Sequence, residues 1–394
     1  MAIGAVIFQY PQEFPADDFM LGSEAYFASQ PTPSLSTDEA RTATTRTSRS
    51  SARSSYNRLS RAPNMFGDSI GSLGQLTVTI PNDRQNGNFV TDLPLGGGRN
   101  LKVAENNKAL PMDRVYFVYN GFQNAATITQ GIGPGAFVSN DANLNRYTFG
   151  FEKTFLDGQW SIDMRMPLTD DFGFNNPAFA FNSGNIGNLA MFLKHWLYSS
   201  DSLSVVGGLG LGLPTGSNLN GQINGIPFAL RNQSVHLVPY VGFLLLPTDA
   251  SFVQGFVDVE LAANGNAVEF GPPGARIGTL TDQNLLHVDL SAGHWVYRND
   301  DATYLTGVAA IAELHYTSTM QNADGFAFTA PGRLPAGGAF QNLANRTDIL
   351  NLTAGLNFRI GYLSNLRVAC VVPVRNQPDR QFDSEIQVSF NRFF

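Results

Sequence analysis

From Asp113 to the last residue the chain repeats one pattern: segments of about ten residues in which apolar side chains alternate with polar or small ones. A period of two belongs to a strand with two different faces. RYTFGFEKTF sets Tyr147, Phe149 and Phe151 against Arg146, Thr148, Gly150 and Glu152. QWSIDMRM sets Trp160, Ile162, Met164 and Met166 against Ser161, Asp163 and Arg165. LSVVGGLGLGL, ILNLTAGLNFRI, LRVACVVPVR and the closing FDSEIQVSFNRFF repeat the arrangement.

A soluble β-sandwich also alternates. Here, however, the polar face carries charges of both signs in mid-strand, where a packed core tolerates no unpaired ion. It is also rich in Gly and Ser, which cannot fill a sandwich. Both features suit a barrel whose polar face lines water. Loop lengths agree. Long connections (Gly121–Ala142, Leu168–Gly187, Pro214–Gln233, Ala262–Asn284, Thr317–Asn345) alternate with short ones (Leu156–Gly158, Tyr198–Ser202, Pro247–Ala250, Asn299–Asp301, Tyr362–Asn365). The expected fold is therefore all-β: a transmembrane, antiparallel, up-and-down barrel of about twelve strands over residues 111–394, in the bacterial outer membrane. Helical spanning is excluded. The longest apolar-rich run, Val235–Pro247, is shorter than the ~20 residues a helix needs and holds His236, Pro239 and Pro247. Only 14% of residues are charged, with a formal net charge of −7. Soluble domains usually run at about 25% charged.

Residues 1–110 lack the period. Met1–Phe14 has a short apolar stretch without a basic start, so export is expected to use an atypical signal or an upstream start. Arg41–Arg61 holds six arginines, no acid and mostly Ser or Thr. It cannot bury a core, and residues 1–62 are expected to be a disordered segment or tether. Residues 63–110 are expected to be partly ordered, a pre-barrel or plug segment, with a strand over Leu73–Ile80 and a Gly-rich turn over Leu93–Asn100.

At the C-terminus Phe394 shares a face with Phe390, Val388 and Ile386. These residues resemble the signal by which outer-membrane barrels are recognised for assembly. GGLGLGLPTGSNLNG (Gly207–Gly221) resembles outer-membrane transporters associated with the meta-pathway of phenol degradation. ENNKALPMDRVYFVYNGF (Glu105–Phe122) resembles the opening strand of related uncharacterised barrels. The resemblance implies solute passage and contact with the barrel assembly machinery.

The alternation nominates a lumen lined by Arg146, Glu152, Asp163, Arg165, Asp258, Glu260, His287, Asp289, Glu313, His315, Arg359, Arg367, Arg375, Asp383 and Glu385. Trp160, Trp196, Trp295 and Tyr316 lie near strand ends and are expected in the interfacial girdles, although Trp295 shares the face of His287 and Asp289. None of the five histidines has close metal-ligand spacing, and Cys370 is alone. No metal, cofactor, catalytic group or nucleic-acid partner is therefore expected. The expected function is a channel or transporter passing small solutes, apolar or aromatic ones among them, through a narrow polar lumen; the partners are outer-membrane lipid, the assembly machinery and the solute. The alternative is a structural membrane anchor or surface-interaction protein. The loop Asp171–Gly184, with four Phe, is expected to meet apolar solutes or pack on itself. Oligomeric state is left open.

Overall fold

The computed structural model describes residues 56–394 apart from 69–74, 83–86, 95–99, 134–135, 171–172, 176–178, 224, 273–274, 330–337, 343–345 and 377–378. Met1–Ser48 and Arg49–Phe394 are separate units, and the first lies outside the described residues, as does most of the Arg/Ser tract.

Twelve strands form the barrel: β1 (Arg114–Gly133), β2 (Ala136–Phe155), β3 (Trp160–Thr169), β4 (Leu189–Ser199), β5 (Leu203–Leu213), β6 (His236–Leu245), β7 (Ser251–Ala262), β8 (Leu285–Arg298), β9 (Leu305–Thr319), β10 (Asp348–Ile360), β11 (Ser364–Pro373) and β12 (Ser384–Phe393). Each pairs antiparallel with its chain neighbours, and β12 closes on β1 through Ser384↔Gln123 to Phe393↔Arg114. No barrel edge is left open, as a lipid environment requires.

Along the strands the outward side chains are mostly apolar and exposed, while the inward ones are buried and, over much of the wall, polar. Leu290 is 45% exposed and Phe390 42%, whereas Arg146 and Glu152 are at 0%. A soluble fold has the opposite arrangement, so this exterior is the lipid-facing wall of an outer-membrane barrel. Short turns join the strands at the periplasmic end. The β2–β3 turn shows why they form there: Leu156, Asp157 and Gly158 have φ of 49°, 58° and 77°. Asp-Gly adopts such angles readily, and they match the strand twist.

At the other end the long loops are not irregular. Those after β3, β5 and β7 each supply a hairpin to a six-stranded sheet: Gly173–Asn175 with Phe179–Asn182, Leu219–Ile223 with Ile226–Leu230, and Asn266–Phe270 with Arg276–Leu280. The loop after β9 adds Gly325–Phe328 and Gly338–Asn342. Through Gln75–Asn82 and Gly87–Pro94 these join the outer part of β1. The loop expected at Gly121–Ala142 is instead a continuation of β1 and β2, paired from Ala126↔Ala142 to Gly133↔Ala136. A core of Phe181, Leu219, Ile223, Phe228, Val268, Phe270, Phe328 and Phe340 fills this extracellular cap. Phe181 thus packs the cap, and the Gly-rich turn lies largely outside the described residues.

Candidate functional site

The lumen is occupied by the chain itself. A helical turn starting at Tyr56 sits at the periplasmic end, where Arg58 pairs with Asp249 at 2.7 Å. Tyr56 donates to Pro111 O and meets Trp196 edge-on at 5.9 Å. From there one limb, residues 56–68, climbs the interior. The hairpin Gln75–Pro94 pairs outside with β1, and a second limb, residues 100–112, returns to the start of β1. Leu59 and Ala62 are buried, so residues 56–62, expected to belong to a tether, pack inside the barrel instead.

An irregular backbone inside a barrel must find hydrogen-bond partners there. The wall's polar side chains supply them. Glu313 accepts from the amides of Phe66 (2.9 Å) and Gly67 (2.8 Å). Gln254 donates to Pro63 O, Arg367 to Asn64 O, Gln387 to Gly67 O and Ser204 to Ala109 O. On the returning limb, Arg114 donates to Asn106 O at 2.6 Å and Lys194 to Leu110 O at 3.2 Å. The limbs bind each other through Met65 N to Asn107 O (2.7 Å) and through Lys108, whose ammonium donates to Ser60 O and Ala62 O. The polar face expected to line water is thus a set of ligands for the chain's own plug.

Charges are matched across this contact and within the plug and the wall beside it. Lys102 lies 2.5 Å from Asp68 and 3.2 Å from Asp289. Arg146 meets Glu105 at 2.5 Å. Arg114 and Lys194 bracket Glu152 at 2.8 and 2.9 Å, and Arg165 holds Asp163 at 2.8 Å. Burial alone would lower the Lys102 amine, but the facing carboxylates of Asp289 and Asp68 outweigh it and hold it above the ordinary lysine range. Lys108 has no such carboxylate against it. Burial, with the charges of Arg114 and Lys194, brings it down to about 7. Asp68, Asp289 and His315 place donor atoms within 4.8 Å of one another, and the Lys102 ammonium sits against two of the three.

The wall also has an apolar arc. Phe192, Val206, Tyr240, Leu244, Phe252, Phe256 and Trp295 face inward from β4 to β8 and pack on Leu59, Leu101, Val103, Ala104 and Leu110 of the limbs.

Of the residues nominated from sequence, Arg146, Glu152, Asp163, Arg165, Asp258, Glu260, His287, Asp289, Glu313, His315, Arg367 and Glu385 are inward and buried. Arg359 belongs to the periplasmic rim, where it pairs with Asp300. Arg375 and Asp383 do not line the lumen. They lie at the extracellular ends of β11 and β12, 42% and 41% exposed, paired with Asp379 and Arg380. Ile386, Val388, Phe390 and Phe394 all sit on the outward face. Trp160 and Tyr316 face outward, but Trp196 and Trp295 point in: strand parity sets Trp196 with Lys194, and Trp295 with Asp289. Sequence reasoning missed Arg114 and Lys194, which the same parity would have found. It also missed Asp68 and Lys102, which no periodicity marks.

No protein-family model and no curated protein matches the sequence. Solved structures similar to the chain include an outer-membrane channel from Pseudomonas putida F1, 14% identical, covering 72% of this chain and 96% of that one, TM-score 0.45. Others are the toluene transporter TodX of Pseudomonas putida (11%, 72% and 90%, 0.39) and the NanC porin (9%, 71% and 99%, 0.39). Strand pairing, an apolar exterior and an occupied polar interior together define a plugged twelve-stranded outer-membrane barrel.

Proposed function

We propose that the protein is an outer-membrane channel for small solutes, held shut by its own limbs 56–68 and 100–112. The observation that carries this reading is the two-sided wall behind the plug. One side offers matched charges, and the other offers Phe192, Tyr240, Phe252, Phe256 and Trp295. A plug bonded by polar pairs exchanges those pairs for water and wall ions at small net cost. With the plug displaced, the charged side sets a transverse field and the aromatic side gives an apolar track, which suits small solutes bearing an aromatic or apolar face. Twelve strands keep the bore narrow. Outer-membrane lipid covers the apolar exterior, and the strand ending in Phe394 is the handle for the assembly machinery.

The test is swelling of proteoliposomes in isotonic arabinose and isotonic phenyl glucoside, wild type against Lys102→Met, which removes the ammonium that Asp68 and Asp289 share. The variant should swell in both, faster in the glycoside per unit of diffusion coefficient. Verified insertion without swelling in either solute contradicts a channel. That outcome would favour a second reading, a membrane anchor displaying the cap, which the cap's separate Phe-rich core supports.

A further inference from the structure

At the periplasmic rim a cavity of about 430 Å³ opens between the plug and the wall. Ligand sites usually run from ~300 to 1,000 Å³. Arg58, Arg61 and Ala62 of the first limb form one side, and Phe252, Trp295 and Arg298 of the wall form the other. Ala62, Phe252 and Trp295 are nearly fully buried and make an apolar floor.

The rim has positive charge to spare. Arg58 pairs with the Asp249 carboxylate, while Arg298 donates only to the Asp249 backbone carbonyl. Arg359, paired with Asp300, lies 5.4 Å from the Trp295 ring. The Arg61 guanidinium makes no hydrogen bond or ion pair among the described residues; only its backbone amide donates, to Arg58 O. Four guanidiniums therefore face two carboxylates. The Asp300 carboxyl, held below its usual range by the Arg359 hydrogen bond, also feels the charges of Arg359, Arg61 and Arg298, so these groups converge on one place.

We propose that this cavity binds a small organic anion with an aromatic body, entering from the periplasm. Its carboxylate is taken by Arg61 and Arg298, and its ring lies on Trp295 and Phe252. Guanidinium forks suit carboxylates, and indole suits a flat apolar face. Because one side of the site is plug and the other is wall, the complete site exists only while the plug is docked. The ligand therefore stabilises the docked state, by linkage. This holds whether or not the undocked barrel conducts solute.

The experiment uses the full chain in non-ionic detergent, titrated calorimetrically with sodium benzoate, benzyl alcohol, sodium acetate and sodium phosphate. Benzoate should bind saturably at one site, at least tenfold more tightly than the neutral alcohol, acetate or phosphate. Arg61→Gln and Arg298→Gln should each weaken benzoate at least tenfold while keeping the heat-modifiable gel mobility of a folded barrel. Benzoate should also slow proteolysis of the first limb in the wild type and not in Arg61→Gln. The proposal is overturned if benzoate binds no better than benzyl alcohol, if phosphate or acetate binds as well, or if both variants bind benzoate like the wild type.

Discussion

The lumen and the extracellular cap both exclude water, and they do it with opposite chemistry. The cap closes around Phe181, Phe228, Phe270, Phe328 and Phe340, with Phe270 and Phe328 ring centroids 4.7 Å apart. The lumen closes around Arg114, Arg146, Arg165, Arg367, Lys102, Lys108 and Lys194, all buried. A barrel in lipid spends most of its apolar side chains on the outside, so much of its inward face is polar, and what fills that part must be bonded rather than greased. An apolar core tolerates a change of shape but not of volume. A core of buried charges fails when one partner is removed, because the other is left unpaired. The lumen is therefore the more switchable of the two regions.

The sharpest way to break this contrast is Lys102→Met. It leaves Asp68 and Asp289 without their ammonium and should cost the docked plug ~4 kcal/mol. Limited proteolysis should then cut residues 56–68 in an otherwise intact barrel. A conservative swap in the cap, Phe340→Leu, should cost less than ~1.5 kcal/mol. Equal sensitivity at the two sites would remove the distinction.

Next in size, Phe340→Ala should cost the cap ~3 kcal/mol by leaving a cavity. Hydrogen exchange should rise in Leu219–Leu230 and Asn266–Leu280 while the amides of Phe66 and Gly67 stay protected. A smaller effect is expected at Gly67, whose φ is 77° and where an added Cβ would lie 2.7 Å from Glu105 Cα. Gly67→Ala forces a left-handed alanine against backbone and should loosen the plug by ~1–3 kcal/mol, read by the same proteolysis.

The effect of pH is the smallest per step. Docked Lys108 ionises at about 7, a free lysine near ~10.4. Between these values the undocked plug binds the extra proton, so raising the pH favours docking by at most ~1.4 kcal/mol per pH unit. The benefit is fully present above ~10.4 and lost as the pH falls to about 7. Lys108→Met should abolish this part of the pH dependence of plug proteolysis. The cap's core, which holds no titratable side chain, should not respond in this window.

The barrel was legible because lipid outside and polar groups inside impose a strict period on strands such as Trp160–Thr169 and Asp348–Ile360. The turns were legible because antiparallel closure sorts them by parity. Beyond the membrane that constraint lapses. The outer halves of β1 and β2 and the short cap strands therefore looked like loops, and Arg375 and Asp383, read by continuing the alternation past β11 and before β12, fell outside the lumen. The missing period suggested a pre-barrel or plug segment over residues 63–110, but its path and partners left no signal, because wall side chains bond much of its backbone. Asp68 meets Lys102 and Asn351 through the fold alone, across sequence gaps that no period spans. Trp196 and Trp295 were placed by their nearness to strand ends, when strand parity was the stronger guide.

The central claim is that the lumen is shut by a plug that can leave while the barrel stays. Planar-bilayer recording of the wild-type chain, with urea raised stepwise in the bath, tests it most directly. Stepwise, reversible conductance should appear at a urea concentration where the barrel's heat-modifiable mobility is unchanged, and should close again on washout. Silence at every concentration up to loss of the barrel itself would contradict it.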